Sequence, residues 1–173
     1  FTRSKVILEI SKNVKPSIFE LTSSGKLKRL PLPEIGTASI ATTSAFSDEY
    51  LVNYASFLTP PSLYLVKNSS PKKIKSLPAQ FNSSGLITEQ FESISKDGTR
   101  IPYFVIRKKN ISFNSSNPTL LYGYGGFQVS LFPSYSATIG KVWLEQGGVY
   151  VLANIRGGGE FGPQWHQSVL KEN

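Results

Sequence analysis

The sequence predicts an α/β architecture led in by a β-rich first part, and three observations carry that prediction. Leu120-Leu121-Tyr122 is an apolar run that stops abruptly at Gly123-Tyr124-Gly125-Gly126-Phe127. About thirty residues later Val149-Tyr150-Val151-Leu152-Ala153-Asn154-Ile155-Arg156 repeats the plan and empties into Gly157-Gly158-Gly159. Between them Ile139, Val142, Trp143 and Gln146 fall at helical spacing, with Gly147 as a stop. Strand, helix and strand in that order form a crossover in a parallel sheet. Parallel strands are covered on both faces and read as unbroken apolar runs, and their ligands gather at the carboxyl ends.

The first part, to about residue 80, reads as β throughout. Apolar runs at 6–10 and 17–21 flank the turn-prone Lys12-Asn13-Val14-Lys15-Pro16. Ser23-Ser24-Gly25-Lys26 is a hairpin-type turn into the alternating Leu27-Lys28-Arg29-Leu30, which Pro31, Pro33 and Gly36 end. Further strands are expected at 39–43, 50–54 and 62–66. Turn signals recur about every ten residues, the spacing of all-β architectures. Residues 67–85 turn polar and rich in Ser, Pro and Asn, as at a domain boundary, and are expected to be a linker.

After that stretch, 90–95 and 101–107 are strands joined by Lys96-Asp97-Gly98-Thr99, and Asp-Gly between two such runs is a strong hairpin signal. Pro102 sits near the start of its strand, where a missing N–H is tolerated. Residues 110–118 form a polar loop. Strand 119–122, a helix over 136–146 and strand 149–155 complete the α/β part.

Composition narrows the function. The chain has 173 residues, a net charge of +8 and no cysteine, so disulfides and thiol metal sites are excluded. Its Lys and Arg are scattered, and the tightest clusters, Lys72-Lys73-Ile74-Lys75 and Arg107-Lys108-Lys109, lie in or beside turns. They read as solvated surface rather than as a nucleic-acid patch interleaved with aromatics. No apolar run approaches the roughly 20 residues of a membrane helix. Sequons at Asn68, Asn82, Asn110 and Asn114 matter only in a secretory compartment, and the cytoplasm is the expected location. Gly157-Gly158-Gly159-Glu160-Phe161-Gly162 also fits G-x-G-x-x-G after a strand. As a dinucleotide site it is weak, because Glu160 would face the pyrophosphate and Pro163 follows at once. No cofactor and no metal are expected.

Several motifs in order resemble one family. Tyr122-Gly123-Tyr124-Gly125-Gly126-Phe127, then Ala153-Asn154-Ile155-Arg156-Gly157-Gly158-Gly159-Glu160-Phe161-Gly162 and Trp165-His166, closely resemble the prolyl oligopeptidase family of serine peptidases. Ser95-Lys96-Asp97-Gly98-Thr99-Arg100-Ile101-Pro102 resembles the start of that family's hydrolase domain, and Phe57-Leu58-Thr59-Pro60-Pro61-Ser62-Leu63-Tyr64 its last propeller blade. The match is good from about residue 50 onward and loose before it. The resemblance implies an α/β class: the start of an α/β-hydrolase domain preceded by β-propeller strands. Residues 1–82 would be the last propeller strands and 83–173 the first part of the hydrolase domain.

The resemblance also assigns chemistry. In α/β-hydrolases the loop after the third strand supplies part of the oxyanion hole. In the resembled family a tyrosine hydroxyl fills this role, and the matching position is Tyr124; a plain turn tyrosine is the alternative. Gly125 and Gly126 would leave room for a short peptide substrate, and Phe127 would line the apolar pocket for the side chain before the scissile bond. Arg156 and Glu160 flank the triple glycine, either as a loop-bracing ion pair or as substrate-side contacts. His166 is the lone histidine, yet α/β-hydrolase order is Ser, acid, His, so it is not the base. It belongs to the structural Trp165-His166 pair.

No G-x-S-x-G elbow occurs in these 173 residues. The nucleophile, acid and base are then expected from the remainder of the same hydrolase domain, and the 173-residue chain alone is expected to be inactive. A truncated, inactive remnant that only binds a peptide or partner is the rival reading. A different α/β-hydrolase, such as an esterase, is a third, but it gives no reason for the β-rich first part.

Overall fold

The structure, a computed structural model, describes residues 1–22 and 24–170. The chain is mostly β-sheet and falls into two compact units. One comprises Phe1–Pro78 with Phe132–Tyr135, the other Ala79–Leu131 with Ser136–Asn173.

In the first unit β1 (Val6–Lys12) and β2 (Lys15–Leu21) form an antiparallel hairpin, with β3 (Leu27–Arg29) on the far side of β2. The β1–β2 turn is Asn13-Val14, both at positive φ (48° and 62°). A β-branched residue is costly there, and Val14 is in return almost wholly buried. Ser23, part of the expected 23–26 turn, lies outside the described residues. Gly25 has φ 76°, and its N–H donates to Thr22 O at 2.9 Å.

A four-stranded antiparallel meander follows: β4 (Thr37–Thr42), β5 (Tyr50–Ala55), β6 (Ser62–Lys67) and β7 (Ser70–Ser76), in spatial order. β7 corrects the first part of the linker expected over 67–85; residues 77–85 carry no strand, and the two units divide between Pro78 and Ala79. The Ser-Pro-Lys-Lys composition of β7 looks like loop because nearly all of the strand is exposed, as befits an edge strand that shields itself with lysines. The core is Ile7, Ile18, Leu30, Leu32, Ala38, Tyr50, Val52, Tyr54 and Val66.

One charged group is buried beside this core. Glu20 is 4% exposed and accepts from Lys5 Nζ at 3.1 Å, from Tyr50 OH at 3.0 Å and from the Ser69 hydroxyl. Burial alone pushes its carboxyl up. The hydrogen bonds from Ser69, Lys5 and Tyr50 and the Lys5 charge outweigh it and hold the group below its ordinary value. Burial, then Glu20 itself, pushes the Tyr50 phenol up.

The second unit is one sheet in the order β10–β11–β9–β8. β8 (Leu86–Ile94) and β9 (Arg100–Lys108) form the expected hairpin. Its turn places Gly98 at φ 83° and closes with Ser95 N–H on Thr99 O at 2.9 Å. β9 buries Pro102, Phe104 and Ile106 on alternate positions, each large apolar side chain contributing roughly 1.5–3 kcal/mol. Arg107, nearly buried, pairs with Glu89 at 2.7 Å and donates to the carbonyls of Lys108 and Lys109, which takes it out of any basic patch.

β11 (Val149–Ala153) runs antiparallel to β9 on one side and parallel to β10 (Thr119–Gly123) on the other, with Tyr122 opposite Leu152 and Gly123 opposite Ala153. The helix between them is shorter and wider than expected. Ile139–Leu144 is π-helical, with Glu145 N–H donating to Gly140 O at 3.0 Å. Gly140 is packed so closely on Phe81 that a Cβ would meet the ring at 1.9 Å, and Gly147 follows the helix at φ 92°. β10 also departs from the expectation of a buried strand. It is a sheet edge, and all five residues are exposed, Leu121 to 68%. No described helix is long and apolar enough to cross a membrane.

Removing Glu20 leaves the Lys5 ammonium half-enclosed with no counter-charge. Glu20→Ala should destabilise the first unit by about 3 kcal/mol, read as a lower urea midpoint at pH 7. Because the folded-state pKa is lowered, the stabilisation is whole above the ordinary value of 4.5 and is lost as pH falls through the lowered one. The gap between wild type and variant should therefore close in strong acid; equal midpoints at pH 7 would refute the network's weight.

Candidate functional site

The site is the meeting of two glycine loops at the carboxyl ends of β10 and β11. Parallel pairing brings both strands to the same end, so the loop from Tyr124 and the loop from Asn154 emerge side by side. Their backbones touch. A Cβ on Gly125 would lie 2.3 Å from Arg156 O, and one on Gly157 would lie 1.9 Å from Gly125 O. Gly157 also needs φ 97°. Gln128 N–H donates to Gly157 O at 3.2 Å, and a Cβ on Gly159 would meet Gln128 O at 2.3 Å. Glycine is required here by contact, not only by turn geometry.

Tyr124 stands at the mouth of this junction, 38% exposed. Its ring lies over Gly126, whose missing Cβ would come within 2.8 Å of the phenol oxygen. The hydroxyl makes no hydrogen bond among the described residues. Phe127 and Gln128 follow with φ 54° and 58°, two consecutive non-glycine residues in the left-handed region. Such conformations cost free energy and persist where neighbours over-determine them; here the Gln128 bond to Gly157 does so. The turn leaves Phe127 88% exposed, three residues after Tyr124 in the chain. Tyr124, Gly125, Gly126 and Phe127 therefore lie together on one loop edge.

Arg156 and Glu160 do not pair with each other, which corrects the expected ion pair. Arg156 reaches back to the β8–β9 turn, where it pairs with Asp97 and donates to Ser95 Oγ at 3.1 Å and Thr99 Oγ1 at 3.5 Å. The Thr99 backbone N–H and then the Arg156 guanidinium hold the Asp97 carboxyl well below the usual carboxylate range. Glu160 turns the other way and accepts from Leu131 N–H at 2.9 Å and from Asn154 Nδ2 at 3.2 Å. Asn154 is completely buried, and sequence reasoning passed over it. The available signal was a polar residue at the end of an apolar strand, where burial without partners is costly.

His166 sits with its Nδ1 2.6 Å from Gly157 O. A carbonyl only accepts, so Nδ1 carries the proton and the ring braces the glycine turn. Trp165 Nε1 donates to Ile155 O at 3.1 Å, and Gly157 N–H donates to Trp165 O at 2.9 Å. Both side chains come from α1 (Pro163–Gln167), a single turn opened by Gly162 at φ 84° and Pro163. Among the described residues no group of three or more His, Cys, Asp or Glu is placed to hold a metal.

The arrangement offers an exposed phenol donor, an apolar ring and close-approach glycines on a braced edge. No family model matches the chain. An uncharacterized peptidase of Sinorhizobium fredii is 45% identical over 177 residues, covering 99% of this chain and 24% of the relative. A prolyl endopeptidase of Elizabethkingia miricola is 36% identical over 164 residues, covering 93% of this chain and 23% of the relative. A solved prolyl endopeptidase, from a study of inter-domain dynamics in two such enzymes, superposes with a TM-score of 0.85 at 33% identity over 97% of this chain and 25% of that one. The chain thus spans about a quarter of the length of the relatives it matches. Within that span its motifs, its fold and these likenesses agree: along nearly its whole length the chain is homologous to proteins named prolyl endopeptidase or peptidase.

Proposed function

We propose that this chain is the stretch of a serine-type prolyl oligopeptidase at which a β-propeller passes into an α/β-hydrolase domain, with residues 1–82 on the propeller side and 83–173 on the hydrolase side. The whole enzyme hydrolyses short peptides through an acyl-enzyme. The observation that carries this reading is Tyr124, whose exposed and unpartnered hydroxyl sits on the loop directly after a parallel strand.

A serine supplied by the rest of the polypeptide, activated by a histidine and an acid, adds to the scissile carbonyl carbon. The C=O π pair moves onto oxygen, and the serine proton passes to the histidine. Tyr124 O–H donates to that oxygen as its charge grows. Collapse re-forms the carbonyl and expels the amine, which takes the proton from the histidine. Water then repeats the sequence on the ester. Phe127 offers its exposed ring to the side chain before the scissile bond, and Gly125 and Gly126 let the peptide backbone approach. The peptidase names of the relatives support the reaction class. The unpaired edge of β10 in the sheet order supports a further strand of the same hydrolase domain as its neighbour.

In the full-length enzyme Tyr124→Phe should lower kcat by about 10²–10³-fold with KM nearly unchanged, because the lost bond forms only as charge develops. Steady-state kinetics on a short prolyl peptide read this, and an unchanged kcat removes Tyr124 from the mechanism. The purified 1–173 polypeptide should show no hydrolysis sensitive to a serine-directed inhibitor; measurable inhibitor-sensitive turnover by homogeneous material would contradict the assignment of the nucleophile elsewhere.

A further inference from the structure

Leu131 closes the loop that begins at Tyr124, and both polar groups of its backbone are captured. Its N–H donates to Glu160 Oε1 at 2.9 Å, and its carbonyl accepts from Asn154 Nδ2 at 2.7 Å. The same Nδ2 donates to Glu160 Oε1 at 3.2 Å. Asn154 is itself fixed, since its backbone N–H donates to Pro102 O at 3.0 Å on β9. A buried amide and a carboxylate thus grip one peptide unit between them and tie it to the sheet. The grip needs Gly158, because a Cβ there would lie 2.1 Å from Glu160 Oε2.

The grip is also costly. Glu160 Oε2 and Asn154 Oδ1 are buried acceptors with no donor. Buried acceptors without donors destabilise a fold, and violations of that kind collect where function requires them. Nothing about merely closing the loop demands a carboxylate, since the remaining loop contacts are backbone bonds: Gln128 N–H to Gly157 O and Val129 N–H to Gly126 O. The second lies within the tight turn, and the first joins that turn to the Gly157 loop; neither reaches Leu131. Among the described residues, the hydrogen bonds at the loop's far end come from Asn154 and Glu160.

We propose that Glu160, with Asn154, is a positioning residue for the peptidase site: it anchors the end of the 124–131 loop and so sets where the Tyr124 hydroxyl and the Phe127 ring stand. It touches no reacting atom. The inference rests on the oxyanion role proposed for Tyr124. It gives the glutamate of the triple-glycine motif a task that is neither substrate contact nor an ion pair with Arg156.

The test uses the full-length enzyme and a short chromogenic prolyl peptide, with kcat and KM measured for Glu160→Ala, Glu160→Gln and Gly158→Ala, each alone and combined with Tyr124→Phe. Displacing a catalytic donor by about 1 Å costs about 10²-fold. Glu160→Ala and Gly158→Ala should therefore each lower kcat by about that factor, with KM moving far less. Glu160→Gln keeps a carbonyl oxygen for Leu131 N–H and should recover most of the rate. In the Tyr124→Phe background Glu160→Ala should cost at most about threefold more, because residues that act as a unit are non-additive. Equal losses in both backgrounds, or a fall in Tm with kcat intact, would overturn the proposal. A Tyr124→Phe enzyme with undiminished kcat would fail the oxyanion role first and take the positioning role with it, a result distinct from the additive one.

Discussion

The second unit depends on one close approach, the contact of two backbones at Gly125 and Gly157. Two parallel strands separated by an interstrand spacing of about 4.8 Å deliver their following loops to the same place. Those loops must either diverge or pack. Here they pack, and side chains are excluded at the contact: a Cβ on either residue would overlap the other loop's carbonyl oxygen. Every other feature of the edge follows from that choice. After Gly126 the chain turns through Phe127 and Gln128 in the left-handed region, and Gln128 N–H reaches Gly157 O. The chain after Arg156 turns at positive φ, and α1 is placed where Trp165 and His166 can hold the turn.

Charge is arranged around the contact, not at it. Arg156 is drawn to Asp97 in the hairpin turn, and Glu160 is drawn to the Leu131 peptide on the opposite side. The two charged residues of the motif thus pull the glycine loop toward different anchors, one on the β8–β9 turn and one on the loop after β10. A direct pair between them would have closed the loop on itself and left both neighbouring segments untied. Rigidity built from such second contacts is what an oxyanion donor needs, because its advantage lies in being aimed before charge develops.

Much of the fold was legible because it rests on local chemistry. Lys96-Asp97-Gly98-Thr99 announced its hairpin, and the alternation of apolar residues placed β9. The spacing of the two glycine loops announced adjacent parallel strands. Four features were not legible. β7 hid behind a lysine-rich, proline-bearing sequence because an exposed edge strand has no apolar periodicity to show. The openness of β10 was invisible, since an apolar run reports what a strand is suited to touch and not what this length of chain supplies. The partners of Arg156 and Glu160 were misread because adjacency in sequence says little about a side chain leaving a tight turn. Asn154 escaped notice for a similar reason: its partners Leu131 and Pro102 lie on other segments.

The oxyanion role proposed for Tyr124 turns on where its phenol points when a scissile carbonyl becomes tetrahedral. The most direct measurement is a crystal structure of the full-length enzyme with a peptide aldehyde whose carbonyl carbon is bonded to the nucleophile. If Tyr124 is the proposed donor, its phenol oxygen stands at about 2.7–3.1 Å from the hemiacetal oxygen, with the 124–131 loop as described. A hemiacetal oxygen held entirely by other donors, with the Tyr124 ring turned away from it, would contradict that role.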